Sequence, residues 1–323
     1  MKSRALVFFL TAQILNTAAW LGPFSTAKKA RSLAIRAKNK PLTSYSKNEW
    51  DALGDSLEPK LDGPIINLIN DTRPPNSTKP PEKSEKIING RRAIRGQNPY
   101  QVGIMMDQES FCGGALISAD YVITAAHCME RNSYILIFGA QNRSAFEAGR
   151  LTIETNKFLL HPKWDSKLIV NDLALFPLPF SVPFSNFIKP IRLPRRSLAF
   201  ANLDNTNVTV CGWGLTNDGG TASSILSCAQ HKLIVNTECA KLYGVQSFKS
   251  SNLCAQGYKD QSTCQGDSGG PVAMTEKDNL PTLIGVVSYG ASASCENGFP
   301  DVFTRVSSYL SWISNVTGIA IRR

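Results

Sequence analysis

The chain has 323 residues, 42% of them apolar, with 8 cysteines and 35 Lys+Arg against 25 Asp+Glu, a formal charge of +10. These figures fit one large domain or two small ones and exclude whole-chain disorder, a coiled coil, a collagen-like fibre and a multi-span membrane protein. Nor does the charge point to nucleic acid. Six of the ten excess positive charges fall in the first 86 residues, and the others do not cluster with aromatic side chains.

At the N-terminus, Lys2 and Arg4 precede an apolar run from Ala5 to about Leu15 and small residues ending at Ala19. This pattern reads as a secretory signal over residues 1–19. The run is too short to span a bilayer, and no other stretch reaches the length that spanning needs. The expectation is a secreted, extracellular protein with no membrane span. Eight cysteines, all between Cys112 and Cys295, suit an oxidising compartment. So do five Asn-x-Ser/Thr acceptors at Asn70, Asn76, Asn142, Asn207 and Asn315. Residues 20–86 contain no cysteine and end in the Pro-rich PPNSTKPPEKSEK, which marks a largely disordered linker or pro-segment. Within it, Asn48 to Asn70 carries some apolar periodicity, compatible with a short docking helix or with disorder.

After Lys86 come short β-branched runs separated by Gly, Pro, Asn and Ser: YQVGIMM, GGALIS, YVITAA, YILIFGA, VTVCGWG, TLIGVVSYG and DVFTRV. Short strands at this spacing predict an all-β barrel or sandwich. At the C-terminus, Tyr309, Trp312, Ile313 and Val316 fall at helical spacing and predict an amphipathic helix on the β body.

Three segments carry chemistry. His127 stands in TAAHC after the strand YVITAA, and a lone histidine is as compatible with a structural role as with catalysis. Ser268 stands in CQGDSGGP, where Gly266, Gly269 and Gly270 let the backbone bend until the amides of Gly266 and Ser268 aim at one point, as an oxyanion site requires. Asp172 heads the apolar strand NDLALFPL, where a carboxylate is partly buried and needs a partner. His127 is the obvious one: the carboxylate fixes the imidazole tautomer and stabilises the imidazolium that forms when the ring takes the Ser268 proton. The other histidines, His161 and His231, read as surface or strand-end residues.

TAAHC, NDLAL, GDSGGP and the order His, Asp, Ser resemble the chymotrypsin/trypsin-like serine endopeptidases, over residues 87–323. The resemblance implies two six-stranded antiparallel β-barrels with a C-terminal helix. The site would lie in the cleft between them, His127 and Asp172 coming from the first barrel and Ser268 from the second. It also implies a zymogen. Lys86-Ile87-Ile88-Asn89-Gly90 is similar to the family's activation site, at which cleavage frees an ammonium, here on Ile87, to pair with the carboxylate before the nucleophile, here Asp267. The partners implied are protein or peptide substrates, an activating protease that cuts after Lys, and protein inhibitors, with the enzyme a monomer.

By the same resemblance, Cys112–Cys128, Cys239–Cys254 and Cys264–Cys295 are bridges. Cys211 and Cys228 depart from the commoner vertebrate pattern. They lie on runs that pair as a hairpin, so a cross-strand bridge is expected of them. The pocket floor aligns with Ser262, its walls with Ser288-Tyr289-Gly290 and with Gly298-Phe299-Pro300-Asp301, and Gln265 joins the substrate-binding set. Ser262 in place of Asp looks chymotrypsin-like, and Gly290 leaves room for a large ring. Asp301 occupies a wall position that is Gly in many relatives, where its carboxylate would attract Lys/Arg or, unpaired, take up a proton or water. The pattern looks like arthropod chymotrypsins and the crab-collagenase group. It predicts cleavage after Phe, Tyr, Leu or Met with secondary acceptance of Lys/Arg. The alternatives are trypsin-like specificity through Asp301 and an inactive binding homologue. Heparin or anionic-surface binding by the basic pro-segment could accompany any of these. The loop after Gly139 lacks the acidic cluster with which some relatives hold calcium, so neither metal nor cofactor is expected.

Overall fold

The computed structural model describes residues 90–290 and 294–322. The expected signal, the expected pro-segment with its Asn48 to Asn70 piece, Asn70, Asn76, Lys86 and Ile87 lie outside the described residues.

The first half contributes β1 (Arg91–Arg92), β2 (Gln101–Met106), β3 (Ser110–Ser118), β4 (Tyr121–Thr124), β5 (Tyr134–Phe138), β6 (Leu151–Thr155), β7 (Leu159–Leu160) and β8 (Ala174–Pro177). Strands β2 to β8 form an antiparallel sheet in the order β6-β5-β2-β3-β4-β8-β7. The second half contributes β9 (Asn207–Gly212), β10 (Ser227–Ile234), β11 (Asn252–Gly257), β12 (Pro271–Thr275), β13 (Pro281–Tyr289) and β14 (Asp301–Arg305). These six run β10-β11-β14-β13-β12-β9, and β9 pairs back onto β10, which closes a barrel. Each sheet also has a two-residue strand beyond the expected six. These are β7 beside β8, and β1, which crosses from the first half to pair with β10.

Alternation builds both cores. In β10, Ser227, Ala229, His231 and Leu233 are buried while Gln230 and Lys232 face out, the period of two expected of a half-buried strand. Val102, Ile104, Leu116, Ile123, Leu136 and Phe176 fill the first core, and Val208, Val210, Leu233, Leu253, Ile284 and Phe303 the second. Each such side chain contributes about 1.5 to 3 kcal/mol on burial. The C-terminal helix is present as α2 (Leu310–Thr317), while Tyr309 sits in the 3-10 turn Val306–Tyr309 before it. Leu310 and Ile313 pack into the core of the first sheet, although the helix follows the last strand of the second. It stops at Gly318, whose φ of 71° suits a left-handed cap. Among the described residues one α-helix has no counterpart in the expected elements: α1 (Asn236–Tyr243), which buries Cys239.

All four expected disulfides are present: Cys112–Cys128, Cys211–Cys228, Cys239–Cys254 and Cys264–Cys295. Cys211 and Cys228 stand directly opposite on β9 and β10 with Cα atoms 4.1 Å apart.

Candidate active site

His127 lies in a 3-10 turn, Ala126–Cys128, directly after β4. Asp172 precedes β8, the strand paired with β4, so the sheet delivers both residues to one edge. Asp172 Oδ2 is 2.8 Å from His127 Nδ1, and Oδ1 accepts the His127 backbone N–H at 2.9 Å. Ser288 Oγ donates to the same Oδ2 at 2.6 Å. The register of β13 against β14 shifts between Val287 and Tyr289, a bulge that re-aims the side chains around Ser288. The carboxylate of Asp172 is thus buried and fully engaged, and among the described residues the imidazole Nε2 has no hydrogen-bond partner. Burial works against charging the His127 ring, yet the hydrogen bond and charge of Asp172, helped by Glu130, outweigh it and raise its pKa.

The glycine-rich loop holds Ser268 beside this pair. Gly113 N–H donates to Ser268 O at 2.7 Å, and Cys128 Sγ, one residue from His127, lies 3.8 Å from that oxygen. A side chain at Gly269 has no room. Its Cβ would come within 2.2 Å of Thr124 Oγ1 and 2.5 Å of Gly113 O, and its φ is +79°. Asp267, Gly269 and Gly270 donate their amides to Cys264 O, Val287 O and Asp267 O. Among the described residues the amides of Gly266 and Ser268 have no backbone acceptor.

Asp267 is 0% exposed. Gly214 N–H donates to its Oδ1 at 2.8 Å and Cys264 N–H to its Oδ2 at 3.0 Å. Burial pushes this carboxyl up to about 7, against the lowering effect of those two bonds. The chain enters the fold close by: Arg91 pairs with Cys228, which faces Cys211, and Gly212 after it packs against the Asp267 carboxylate.

Ser262, Gln265, Ser288, Tyr289, Gly290, Phe299 and Asp301 line one cavity of about 420 Å³ together with Ser268. Tyr289 packs edge-on to Tyr243 at 5.5 Å, and burial pushes its hydroxyl up to about 12. One expectation is corrected here, and one of the two alternatives for Asp301 is excluded. His231 is not a surface residue: it is 1% exposed, because the alternation of β10 turns it inward. Asp301 is not an unpaired carboxylate, since His231 Nε2 lies 2.7 Å from its Oδ2 and Thr263 N–H donates to the same oxygen at 3.2 Å. The inward positions of β10 read Ser, Ala, His, Leu, and that pattern was the signal available in the sequence. His161 does lie at a strand end, after β7, with Tyr309 and Trp312 edge-on to its ring.

Among the described residues two groups come close enough to hold an ion, Cys112/His127/Cys128 and Asp218/Cys264/Cys295. In both, the cysteines are bridged and offer no thiolate.

The Trypsin family model matches residues 87–313. Brachyurin of Leptuca pugilator is 35% identical over 235 residues, which cover 72% of this chain and 99% of that protein. Collagenase of Hypoderma lineatum is 36% identical over 238 residues, 72% of this chain and 88% of its own. A solved structure of HL collagenase superposes with a TM-score of 0.65 at 35% identity, covering 73% of this chain and all of that one. With two β-barrel-like sheets, four disulfides and these relatives, the chain belongs to the trypsin family and is a serine endopeptidase.

Proposed function

We propose that the protein is a secreted endopeptidase, made as a zymogen, whose catalytic residues are Ser268, His127 and Asp172. The observation that carries this reading is the doubly bonded Asp172. It holds the imidazole through both Nδ1 and the backbone, so the ring proton sits on Nδ1 and Nε2 is the base. Ser268 Oγ attacks the scissile carbonyl as its proton passes to Nε2. Asp172 stabilises the imidazolium, which then protonates the leaving amine, and water repeats the cycle on the acyl-enzyme. The two uncommitted amides, Gly266 and Ser268, receive the oxyanion, and one such donor is worth about 10² to 10³ in kcat.

Activation follows cleavage after Lys86. The new Ile87 ammonium pairs with Asp267, a buried carboxylate that is bonded only to amides among the described residues. Residues 1–19 are the signal, residues 20–86 the pro-segment and residues 87–323 the catalytic domain. Among the described acceptors, Asn207 and Asn315 are exposed and are the ones best placed for glycosylation.

The substrate side chain before the scissile bond enters the cavity over Ser262. Its roominess favours Phe, Tyr, Leu or Met, with Lys/Arg as secondary substrates through Asp301. A trypsin-like preference is the second reading, favoured by the same carboxylate. The test is to express the zymogen, cut it with a Lys-specific protease and profile peptides that differ at that one residue, beside a Ser268→Ala control. Equal turnover by the control overturns the mechanism, and a thousandfold preference for Arg over Phe overturns the specificity.

A further inference from the structure

His231 lies outside every motif that carries the family resemblance, yet the barrel places it under the cavity beside Ser268. Its Nε2 meets Asp301 Oδ2 at 2.7 Å, Thr263 N–H donates to that same oxygen at 3.2 Å, and Phe303 packs edge-on against the ring at 5.8 Å. The other ring nitrogen, Nδ1, is buried with no hydrogen-bond partner among the described residues. That arrangement assigns the ring proton to Nε2, because a buried N–H without an acceptor costs more than a bare lone pair. The second carboxylate oxygen, Oδ1, faces Gly290 across the cavity wall, 3.0 Å from where a Cβ on that glycine would stand. One oxygen of Asp301 is therefore spent on the protein, and the other borders the space that a substrate side chain enters.

We propose that His231 is a specificity-determining residue. By occupying Oδ2 of Asp301 it leaves the cavity a single carboxylate oxygen, which denies an Arg side chain the two-oxygen fork its guanidinium is shaped for. An ammonium is a point charge and loses less, and an apolar side chain loses nothing. Wild-type enzyme then cuts after Phe or Leu best, after Lys second and after Arg no better than Lys. His231→Leu fills nearly the same space without a donor, leaves Oδ2 with only the longer bond from Thr263 N–H at 3.2 Å, and so makes it available as the second oxygen of the fork for Arg. The inference rests on the proposal that the cavity over Ser262 receives the substrate side chain.

The experiment compares kcat/KM for peptides differing only by Phe, Lys or Arg before the scissile bond. Binding of benzamidine, an amidinium with the same fork, is measured in the Ser268→Ala background, where no turnover is needed. His231→Leu is expected to raise the Arg:Phe and Arg:Lys ratios at least tenfold and to tighten benzamidine at least tenfold. His231→Gln, which keeps an N–H donor, is expected to stay near wild type, and adding Asp301→Asn to His231→Leu to cancel the gain. His231→Met, unbranched and adaptable, replaces the Leu variant if that one does not fold. Unchanged ratios and unchanged benzamidine affinity overturn the role of His231. Gly290→Val separates this outcome from failure of the pocket reading. It narrows the cavity, so loss of Phe cleavage upholds the pocket, while an unaltered profile overturns the pocket and the His231 proposal together.

Discussion

Cutting the chain after Lys86 is expected to change its stability by an amount that depends on pH. In the uncut chain the Asp267 carboxylate is fully buried, and its two bonds among the described residues come from backbone amides. Burial raises its pKa from 3.8 to about 7. At about 1.4 kcal/mol per tenfold change in acidity, holding it ionised above that pH costs about 4 kcal/mol. The folded value lies above the unfolded one, so the folded chain binds the extra proton between them. Its stability is therefore lost as pH rises from about 4 through about 7. An Ile87 ammonium at Asp267 recovers that loss, in line with the roughly 3 to 5 kcal/mol at stake when a buried pair loses one partner. The assay is urea unfolding followed by tryptophan fluorescence, with Ser268→Ala in both forms to prevent self-digestion and Lys86→Gln to keep one form uncut. At pH 8 the cut form should be more stable by about 3 to 5 kcal/mol. At pH 5 the gap should shrink, because the uncut chain then carries Asp267 protonated. Asp267→Asn should remove the gap at both pH values. Equal stability of the two forms at pH 8, or a gap that does not change with pH, refutes the reasoning.

Turnover needs a neutral His127, and Asp172 raises the ring's pKa, so kcat/KM should rise with pH through a value above 6.5. Asp172→Asn should move that limb to lower pH and cut kcat by about 10⁴, the size known for the corresponding change in the family's template; a pH–rate profile reads both. Gly269→Ala should destabilise the fold by more than about 1 kcal/mol, since it combines a positive φ with a Cβ 2.2 Å from Thr124 Oγ1, and thermal unfolding measures this. Glu276 accepts from Arg322 at 2.6 Å and from Thr282, which hold its carboxyl down at about 2. Its folded value is depressed, so its contribution is present above the unfolded pKa and lost as pH falls toward 2. Glu276→Gln should cost about 1 to 2 kcal/mol at pH 7 in urea unfolding and little at pH 2.

Much of the fold and the candidate site was legible in the sequence because it resides in local, ordered patterns. Alternating β-branched runs predict strands such as β4 and β9, helical spacing predicts α2, and the glycines around Ser268 announce a loop that no side chain could fill. The order of TAAHC, NDLAL and GDSGGP carried the family before any coordinate did. The helix α1 was less legible: it is short, and packing around Cys239 rather than an amphipathic pattern secures it.

The tertiary structure decided what depends on two distant strands meeting. Asp301 stands alone in its own segment, and nothing near it in sequence announces a partner. The partner is His231, 70 residues earlier, brought against it because β10 and β14 both pair with β11 and alternation turns the ring inward. Likewise the hydroxyl of Ser288 reaches Asp172 across 116 residues through a bulge that strand periodicity does not reveal. A sequence determines which residues can be strand, turn or nucleophile. Which buried charge is already answered by a neighbour is settled only when the barrel closes, because a hydrogen bond depends on ångströms and not on separation along the chain.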